Sequence, residues 1–231
     1  MQRVMIITGT RKGIGRHLAE YYLEQGYFVA GCSRSESDLL SSNYSHYCLD
    51  VSDELAVKSM VSEIAKKHKR IDYLINNAGI ASMNHSFLMP ISMVDKIFRT
   101  NVYGTFLFCR EVGKIMSKKK YGRIINITTF AVPFKLEGEA IYAASKAAVS
   151  TLSEILAREY ADYGITVNLI GPPAIQTDLI RNVPSEKLDK LLQRQAIHRY
   201  GTPDDVFNSI NYLLQESSSM VTGQTIYLGG V

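Results

Sequence analysis

Two side chains that can exchange protons lie four residues apart in the segment Tyr142-Ala-Ala-Ser-Lys146. On a helix, positions i and i+4 share a face, and their Cβ atoms lie about 5–6 Å apart. An ammonium group at that distance is expected to lower the pKa of the phenol, which otherwise titrates near pH 10. The pair therefore predicts a general acid and base. A surface pair of no catalytic consequence has the same spacing, so the rest of the chain must supply a cofactor and a substrate.

The elements that would position this pair alternate along the chain. Short runs rich in valine and isoleucine predict seven strands, at residues 4–8, 28–32, 47–50, 71–76, 123–127, 165–169 and 225–228. Stretches of helical length predict helices at residues 15–25, 54–67, 92–117, 140–160 and 204–216, with a short one at 185–195. Strands that are apolar on both faces and separated by helices indicate a parallel sheet covered on both sides. We therefore predict an α/β fold, a single doubly wound Rossmann-type domain over residues 1–231.

The composition narrows the class of protein. Of the 231 residues, 46% are hydrophobic and 21% charged, and the net charge is +4, which is ordinary for a soluble globular protein. No apolar run approaches the roughly 20 residues that span a bilayer, and the first strand begins too early for a signal peptide. We therefore expect a cytoplasmic protein with no membrane partner. Three cysteines without Cys-x-x-Cys spacing and five scattered histidines predict no metal site. The basic run at 118–120 is typical of a solvated helix end, so no nucleic-acid partner is expected.

A glycine-rich segment lies between the first predicted strand and the first predicted helix. Its sequence, Thr-Gly-Thr-Arg-Lys-Gly-Ile-Gly at residues 8–15, is called the glycine loop below. Glycines at such a junction permit a tight turn and let the backbone approach a pyrophosphate, which then meets the N-terminal end of the helix. The segment predicts a dinucleotide site with contacts from Gly9, Thr10, Arg11, Lys12, Gly13, Ile14 and Gly15.

Two cations favour a phosphorylated dinucleotide. Lys12 lies in the glycine loop, and Arg34 follows Ser33 after the second strand, where an acidic residue would bind the ribose 2′-hydroxyl of NAD. Neither Ser33 nor Arg34 repels a 2′-phosphate, and Lys12 and Arg34 can bind one by charge-assisted hydrogen bonds. We therefore predict NADP(H) in preference to NAD(H). Two ordinary surface cations are the alternative interpretation.

Several motifs, taken together, resemble those of the classical short-chain dehydrogenase/reductase family over essentially the whole chain. They are the glycine loop, Asn76-Asn77-Ala78-Gly79 after the fourth strand, Asn101 in a helix, and the pair Tyr142 and Lys146. Residues 177–179 and 199–203 are similar to those of the 3-oxoacyl-(acyl-carrier protein) reductase-like members. The resemblance implies further cofactor contacts from Asp50, Val51, Asn77, Ala78, Gly79, Tyr142, Lys146, Pro172, Ile175 and Thr177.

The resemblance also implies a seven-stranded sheet and hydride transfer between a nicotinamide and a carbonyl or alcohol carbon. Tyr142 would protonate the developing alkoxide, and Lys146 would hold the nicotinamide ribose and lower the tyrosine pKa. Asn101 would hold a water that links Lys146 to solvent. Structural alternatives stay open for Asn77 and Asn101, because buried amides often satisfy backbone groups, and for Asp50 as a turn residue.

The chain departs from the family pattern at two main positions. Thr129 lies thirteen residues before Tyr142, where the family usually has its catalytic serine. Its hydroxyl can still polarise a carbonyl, but its methyl group stiffens χ1 and takes up space beside the reacting carbon. Pro173, next to Pro172, replaces a glycine and excludes a positive-φ turn there. We expect an active enzyme with an altered substrate preference; loss of activity is the competing interpretation.

The candidate pocket is mostly apolar, which favours a ketone or β-keto acyl group over a small charged metabolite. It draws on residues 81–89 and 130–136, on Pro173, and on a predicted lid at 177–197. One alternative is an alcohol dehydrogenase of a biosynthetic pathway, and another is a catalytically impaired NADP(H)-binding regulatory protein. Residues 1–125 would form the cofactor half and residues 126–231 the catalytic half. The two long helices are dimer-forming elements in the family, so the resemblance implies a homodimer or homotetramer.

Overall fold

The structure, a computed structural model, describes residues 2–176 and 185–231. One sheet contains seven strands: β1 (Val4–Thr8), β2 (Phe28–Ser33), β3 (Tyr44–Cys48), β4 (Tyr73–Asn76), β5 (Gly122–Ile127), β6 (Ile165–Gly171) and β7 (Thr225–Tyr227). Their order is β3-β2-β1-β4-β5-β6-β7, and every neighbouring pair is parallel. The predicted α/β fold with a doubly wound, seven-stranded parallel sheet is confirmed.

Helices cover both faces of this sheet. They are α1 (Gly13–Glu24), α2 (Glu54–His68), α3 (Ile91–Phe98), α4 (Gly104–Lys119), α5 (Ala131–Phe134), α6 (Ala140–Tyr160), α7 (Ser185–Arg194) and α8 (Pro203–Leu214). Within the described part of the chain, none of them is long and apolar enough to cross a bilayer.

The two faces of the sheet bury separate apolar layers, because successive side chains of a strand point to opposite faces. On one face, Ile6, Leu74 and Ile124 lie in a cluster with apolar residues of α2, α4 and α6. On the other face, Met5 and Ile75 lie in a cluster with residues of α1 and α8. Central strands that are buried on both sides hold their carboxyl ends rigidly along one edge of the sheet.

The topology places a crevice at that edge. β1 has β2 on one side and β4 on the other. The chain therefore winds away from β1 in both directions, and ligands bind outside the carboxyl ends of the strands at such a switch point. Here these ends are Thr8 and Asn76. The glycine loop begins at the first, and the Asn-Asn-Ala-Gly motif begins at the second.

One predicted helix is interrupted in the structure. The predicted helix over residues 92–117 is present and spans residues 91–119, but it is not α-helical throughout: α3 ends at Phe98, a π-helical turn covers Arg99–Tyr103, and α4 begins at Gly104. A π-helical turn is rare and often occurs at functional sites. This one carries Asn101, one of the predicted catalytic residues.

The third strand also differs from its prediction. It spans Tyr44–Cys48 and not residues 47–50, and it is a half-buried edge strand, so no continuous apolar run marks it. Asp50 therefore does not end the strand. It lies in the turn that follows, where its Oδ1 accepts hydrogen bonds from the backbone N–H and the hydroxyl of Ser52, both at 2.8 Å.

Candidate active site

The glycine loop is fastened to the ends of three strands. Gly9 N donates to Cys32 O at 2.8 Å. Thr8 Oγ1 accepts from the backbone N–H groups of Asn77 and Ala78, at 3.0 and 2.9 Å, and Asn77 Nδ2 donates to Thr8 O at 2.9 Å. These bonds join β1, β2 and β4 at the crevice. The predicted cofactor residues Asn77 and Ala78 therefore lie directly beside the loop. The hydrogen bonds of Asn77 to Thr8 support its structural interpretation, and its contact with a cofactor stays a prediction.

The loop leaves no room for side chains where a pyrophosphate is expected. A Cβ on Gly15 would lie 2.3 Å from Gly9 O and 2.4 Å from Asn77 Nδ2. Gly9 and Gly13 have φ values of 77° and 60°, which glycine adopts at little cost. α1 begins at Gly13 with no side-chain cap, so its first N–H groups are placed as in helix ends that bind phosphates. The other predicted loop contacts lie in the same turn, namely Thr10, Arg11, Lys12 and Ile14.

The residues predicted at the adenosine end are Ser33, Arg34, Asp50 and Val51, which lie at or just beyond the ends of β2 and β3. Arg34 is exposed, and Val51 is buried. Burial alone would raise the pKa of Asp50, but hydrogen bonds from Ser52 and the positive charges of Arg34 and Arg99 lower that pKa below its ordinary value. Arg34 and Asp50 therefore interact electrostatically across the end of the sheet.

Tyr142 and Lys146 lie in the first turns of α6, and only 8% and 3% of their surfaces are exposed. Thr129, which follows β5, lies close enough to Tyr142 to lower the pKa of its phenol. Lys146 Nζ donates to Ile127 O, in the last residue of β5, at 2.7 Å. Burial of both side chains excludes the alternative of a surface pair. The end of β5 holds the two groups at the same edge of the sheet as the glycine loop.

Burial, and not Lys146, dominates the pKa of the phenol. It raises the pKa of Tyr142 to about 12; the nearby Thr129 hydroxyl works against this, and the charge of Glu139 adds to it. Burial also lowers the pKa of Lys146 to about 8. The expected lowering of the tyrosine pKa by Lys146 is therefore not found in this structure. Burial thus shifts the equilibrium of both groups toward their neutral forms, although Lys146, with a pKa of about 8, is still mostly protonated at pH 7.

Asn101 is fully buried in the π-helical turn. Its Nδ2 donates to Ile80 O at 3.0 Å and to Ser145 Oγ at 2.9 Å, and its Oδ1 accepts from Ile80 N at 2.9 Å. These bonds tie the chain that follows β4 to α6. They support the structural interpretation of Asn101, and its role in holding a water stays a prediction.

Gly79 lies where the catalytic and cofactor predictions meet. A Cβ at this position would lie 3.4 Å from Asn101 Oδ1 and 3.4 Å from Lys146 Nζ. The polar ends of both side chains thus border the backbone of the Asn-Asn-Ala-Gly motif. Since Asn77 of the same motif bonds to Thr8, the glycine loop and Lys146 lie on either side of one short segment.

The loop after β6 accommodates its second proline. Ile175 pairs with Gly201 in a parallel bridge, and a Cβ on Gly201 would lie 2.5 Å from Pro173 Cγ. Gly201 thus leaves the space that Pro173 occupies, and Pro172 and Ile175 are buried in the same loop. Outside the described residues lie the predicted contact Thr177 and the first part of the predicted lid, residues 177–184, including Ile180 and Arg181.

Two residues near the phenol were missed in the sequence. Glu139 is 8% exposed, burial raises its pKa, and its charge acts on Tyr142. Ser145 is fully buried, and its hydroxyl donates to Tyr142 O at 2.7 Å. Both lie three residues from Tyr142, so helical periodicity places them on its face of the helix. That spacing was the signal that would have found them.

Removal of the Thr129 hydroxyl tests whether this residue acts in place of the family serine. We expect Thr129→Ala to lower kcat by about 10²-fold, because a hydrogen-bond donor to the reacting oxygen is lost. Thr129→Ser keeps the hydroxyl and should stay within a few fold of wild type. Steady-state kinetics with one substrate measure both. Unchanged turnover in Thr129→Ala contradicts the assignment, and a large loss in Thr129→Ser shows that the methyl group is needed.

Comparison with known proteins places this geometry in a family. A family model described as enoyl-(acyl carrier protein) reductase matches residues 9–230. The 3-oxoacyl-(acyl-carrier-protein) reductase of Escherichia coli is 32% identical over 234 residues, which cover 99% of this chain and 96% of that protein. The 3-oxoacyl-(acyl-carrier-protein) reductase of Staphylococcus epidermidis is 30% identical over 240 residues, covering 100% and 98%.

Solved structures are similar over the same length. ElxO with NADP bound has a TM-score of 0.90 and 32% sequence identity, and the match covers 99% of this chain and 97% of that one. A tyrosine-to-phenylalanine variant of ElxO with NADPH bound has a TM-score of 0.90 and 32% identity, with coverage of 98% and 97%. The ligand-free aldohexose dehydrogenase of Thermoplasma acidophilum has a TM-score of 0.91 and 27% identity, with coverage of 99% and 93%.

Proposed function

We propose that this chain, an oxidoreductase that belongs to the short-chain dehydrogenase/reductase family, reduces a ketone or β-keto acyl carbonyl to a secondary alcohol with NADPH. The observation that carries the proposal is that Tyr142 and Lys146 are buried together at the edge of the sheet where the glycine loop lies. This arrangement combines a proton donor with a dinucleotide site.

When bound, NADPH would supply the hydride that the carbonyl carbon accepts. Tyr142 keeps its proton at neutral pH because burial raises its pKa, and it donates that proton to the carbonyl oxygen. The Thr129 hydroxyl donates a hydrogen bond to the same oxygen and orients it. Lys146 holds one N–H on Ile127 O, which leaves its other N–H groups for the ribose of the dinucleotide and for the phenol.

NADP(H) is the proposed cofactor. The glycine loop fits a pyrophosphate, since a Cβ on Gly15 would fill the space beside Gly9 O. Arg34 and Lys12 are exposed around the predicted 2′-phosphate position. The two ElxO structures contain NADP and NADPH, which supports the same choice for this chain.

The apolar surroundings of the phenol support a ketone or β-keto acyl substrate. The rings of Phe130 and Phe134 pack with centroids 6.0 Å apart, just after Thr129. The segment that contains Met83 and Phe87 meets the chain before α6, since Asn84 N donates to a backbone carbonyl there. Two relatives are named 3-oxoacyl-(acyl-carrier-protein) reductase, and a 3-oxoacyl group is a β-keto acyl group. His85 accepts a hydrogen bond from Phe87 N, which fits a loop histidine better than a substrate contact.

We further propose that the protein is cytoplasmic and forms a homodimer or homotetramer, with neither a nucleic-acid nor a membrane partner. Apolar side chains are exposed along the π-helical turn, α4 and α6, at Tyr103, Phe106 and Ile155. Exposed apolar side chains on neighbouring helices are typical of contacts between subunits.

NADPH consumption with a panel of ketones, β-keto esters and β-keto acyl thioesters tests the proposal. We expect turnover of apolar members of the panel with NADPH and much less with NADH. Turnover only of alcohols with NADP+ favours the alternative of a biosynthetic alcohol dehydrogenase. Tight nucleotide binding without turnover in either direction contradicts the proposal and favours the impaired regulatory protein.

A further inference from the structure

A chain of side-chain hydrogen bonds runs along β3 beside the predicted 2′-phosphate contacts. Tyr44 and His46 lie two residues apart and therefore on the same face of this strand. Tyr44 Oη lies 2.8 Å from His46 Nδ1 and 2.9 Å from Thr10 Oγ1 of the glycine loop. On the other side of the ring, His46 Nε2 lies 3.0 Å from Ser35 O and 3.1 Å from Ser33 Oγ. The chain joins the two ends of the proposed dinucleotide site.

A glycine on β2 makes room for this chain. Gly31 pairs with His46 in the parallel register between β2 and β3. A Cβ on Gly31 would lie 2.3 Å from both Tyr44 Oη and Thr10 Oγ1. A larger residue would therefore separate the two hydroxyl groups. The contact between the glycine loop and β3 depends on a glycine at this position.

The carbonyl of Ser35 fixes the direction of the hydrogen bonds. A carbonyl oxygen only accepts, so His46 Nε2 carries a proton, and in the neutral ring Nδ1 accepts from the Tyr44 hydroxyl. Burial raises the pKa of Tyr44, which keeps that phenol protonated. Ser33 Oγ also donates to Ser35 O, at 2.5 Å. The same carbonyl thus has two side-chain donors, Ser33 and His46.

The second donor allows Ser33 to change its partner. Ser33 ends β2 next to Arg34, at the position predicted to meet a 2′-phosphate. When its hydroxyl turns to donate to a phosphate oxygen, Ser35 O keeps the hydrogen bond from His46 Nε2. Without His46, the same rotation would take both side-chain donors from that carbonyl. The cost of losing a hydrogen bond would then weaken phosphate binding.

We infer that His46 is a specificity-determining residue for the 2′-phosphate of the dinucleotide. It frees the Ser33 hydroxyl to bind the phosphate. His46 acts through Ser33 and is therefore a positioning residue. The inference rests on the proposed binding of NADP(H).

Two variants test the hydrogen bond from His46. His46→Gln keeps an amide donor near the position of Nε2, whereas His46→Phe removes the donor and keeps a ring. Tyr47→Phe is the matched control, because Tyr47 lies on the same strand with its side chain on the other face, where its hydroxyl donates to Glu63 at 2.9 Å. Isothermal titration calorimetry gives the Kd of NADP+ and of NAD+ for each protein at pH 8.

The measured quantity is the NADP preference, the Kd of NAD+ divided by that of NADP+. At pH 8 we expect His46→Phe to lower it about tenfold with an unchanged Kd for NAD+, since one hydrogen bond to a charged oxygen is weakened. His46→Gln and Tyr47→Phe should stay within about twofold of wild type.

An unchanged preference in His46→Phe overturns the inference. Normal affinity for NAD+ shows that this variant is folded. If it does not fold, Ser33→Ala decides, because a preference equal to that of wild type would show that the Ser33 hydroxyl does not bind the phosphate, which also overturns the inference. If wild type binds neither dinucleotide, the proposed function fails together with the inference. Wild type that prefers NADP+ while the His46 variants behave like it leaves the proposed function intact and removes only the inference.

Discussion

Tyr142→Phe is expected to lower kcat by about 10²- to 10⁴-fold while the Kd of NADPH stays within a few fold of wild type. The phenol is the proposed general acid, and general acid catalysis contributes about that range to enzymatic rates. The ring itself stays in place, because Tyr142 is buried and phenylalanine has nearly the same shape. Steady-state kinetics give the first number and fluorescence titration the second.

Tyr160→Phe is the control for this experiment. Tyr160 lies at the other end of α6, and its hydroxyl donates to Cys109 O at 3.4 Å, so the same atom is removed from the same helix outside the site. We expect no change in kcat. A loss of less than about tenfold in Tyr142→Phe would contradict the assignment of the acid, whatever the control shows. Equal losses in both variants would point to a general effect on α6.

The central strands could be predicted because they are short apolar runs that are buried on both faces of the sheet. β1 and β5 are buried along their whole length, and their apolar runs predict them at nearly the observed bounds. β3 could not be placed, because a half-buried edge strand with the sequence Tyr-Ser-His-Tyr-Cys has no apolar run to mark it. Patterns of hydrophobicity report burial, and this strand has little of it.

The interruption between α3 and α4 depends on contacts that are distant in sequence. The helical pattern continues through residues 92–117, and the π-helical turn is held by the bonds of Asn101 to Ile80 and Ser145. Ser145 lies 44 residues away from Asn101. A pattern read within one helix does not contain such a bond. The motif therefore predicted that Asn101 mattered without predicting the turn that carries it.

The candidate site shows the same division. Spacing and motifs predicted which residues gather around Gly79 and the glycine loop, because each lies at the end of a parallel strand or on the helix that follows. The pKa of Tyr142 could not be predicted from spacing, because burial outweighs the neighbouring lysine. The role of His46 could not be predicted, because it depends on the register that pairs His46 with Gly31. The predicted bounds of β3, residues 47–50, do not include His46.

Lys146→Met is expected to lower turnover by at least about 10²-fold without destabilising the fold at pH 7 by more than about 1 kcal/mol. Burial lowers the pKa of Lys146 from 10.5 to about 8, so the folded state disfavours its charged form by roughly 2–4 kcal/mol. Methionine is of similar length and removes this cost. The loss of the hydrogen bond to Ile127 O offsets part of the gain, by about 1–3 kcal/mol.

The difference in the free energy of unfolding between wild type and Lys146→Met is expected to change with pH in a defined direction. Below pH 8, Lys146 is protonated in the folded and the unfolded state, and the full cost of burying its charge is present. Between pH 8 and 10.5, the unfolded state binds more protons than the folded state, so wild type gains stability relative to Lys146→Met as the pH rises. The difference should shift in favour of wild type by roughly 2–3 kcal/mol from pH 7 to 10.5. Tyr142 titrates in both proteins, and its effect largely cancels.

Urea unfolding at pH 7, 9 and 10.5 measures this shift. Lys190→Met is the matched control, because the side chain of Lys190 is 74% exposed and pairs with Glu186 on the surface of α7. Such a pair contributes less than about 0.5 kcal/mol, so this variant should track wild type at every pH. A difference between wild type and Lys146→Met that stays constant over the same range would mean that Lys146 keeps its ordinary pKa in the folded protein. Tyr142 would then lie beside a lysine that stays charged up to high pH. The lower pKa of Tyr142 that the i,i+4 spacing predicts would again be expected.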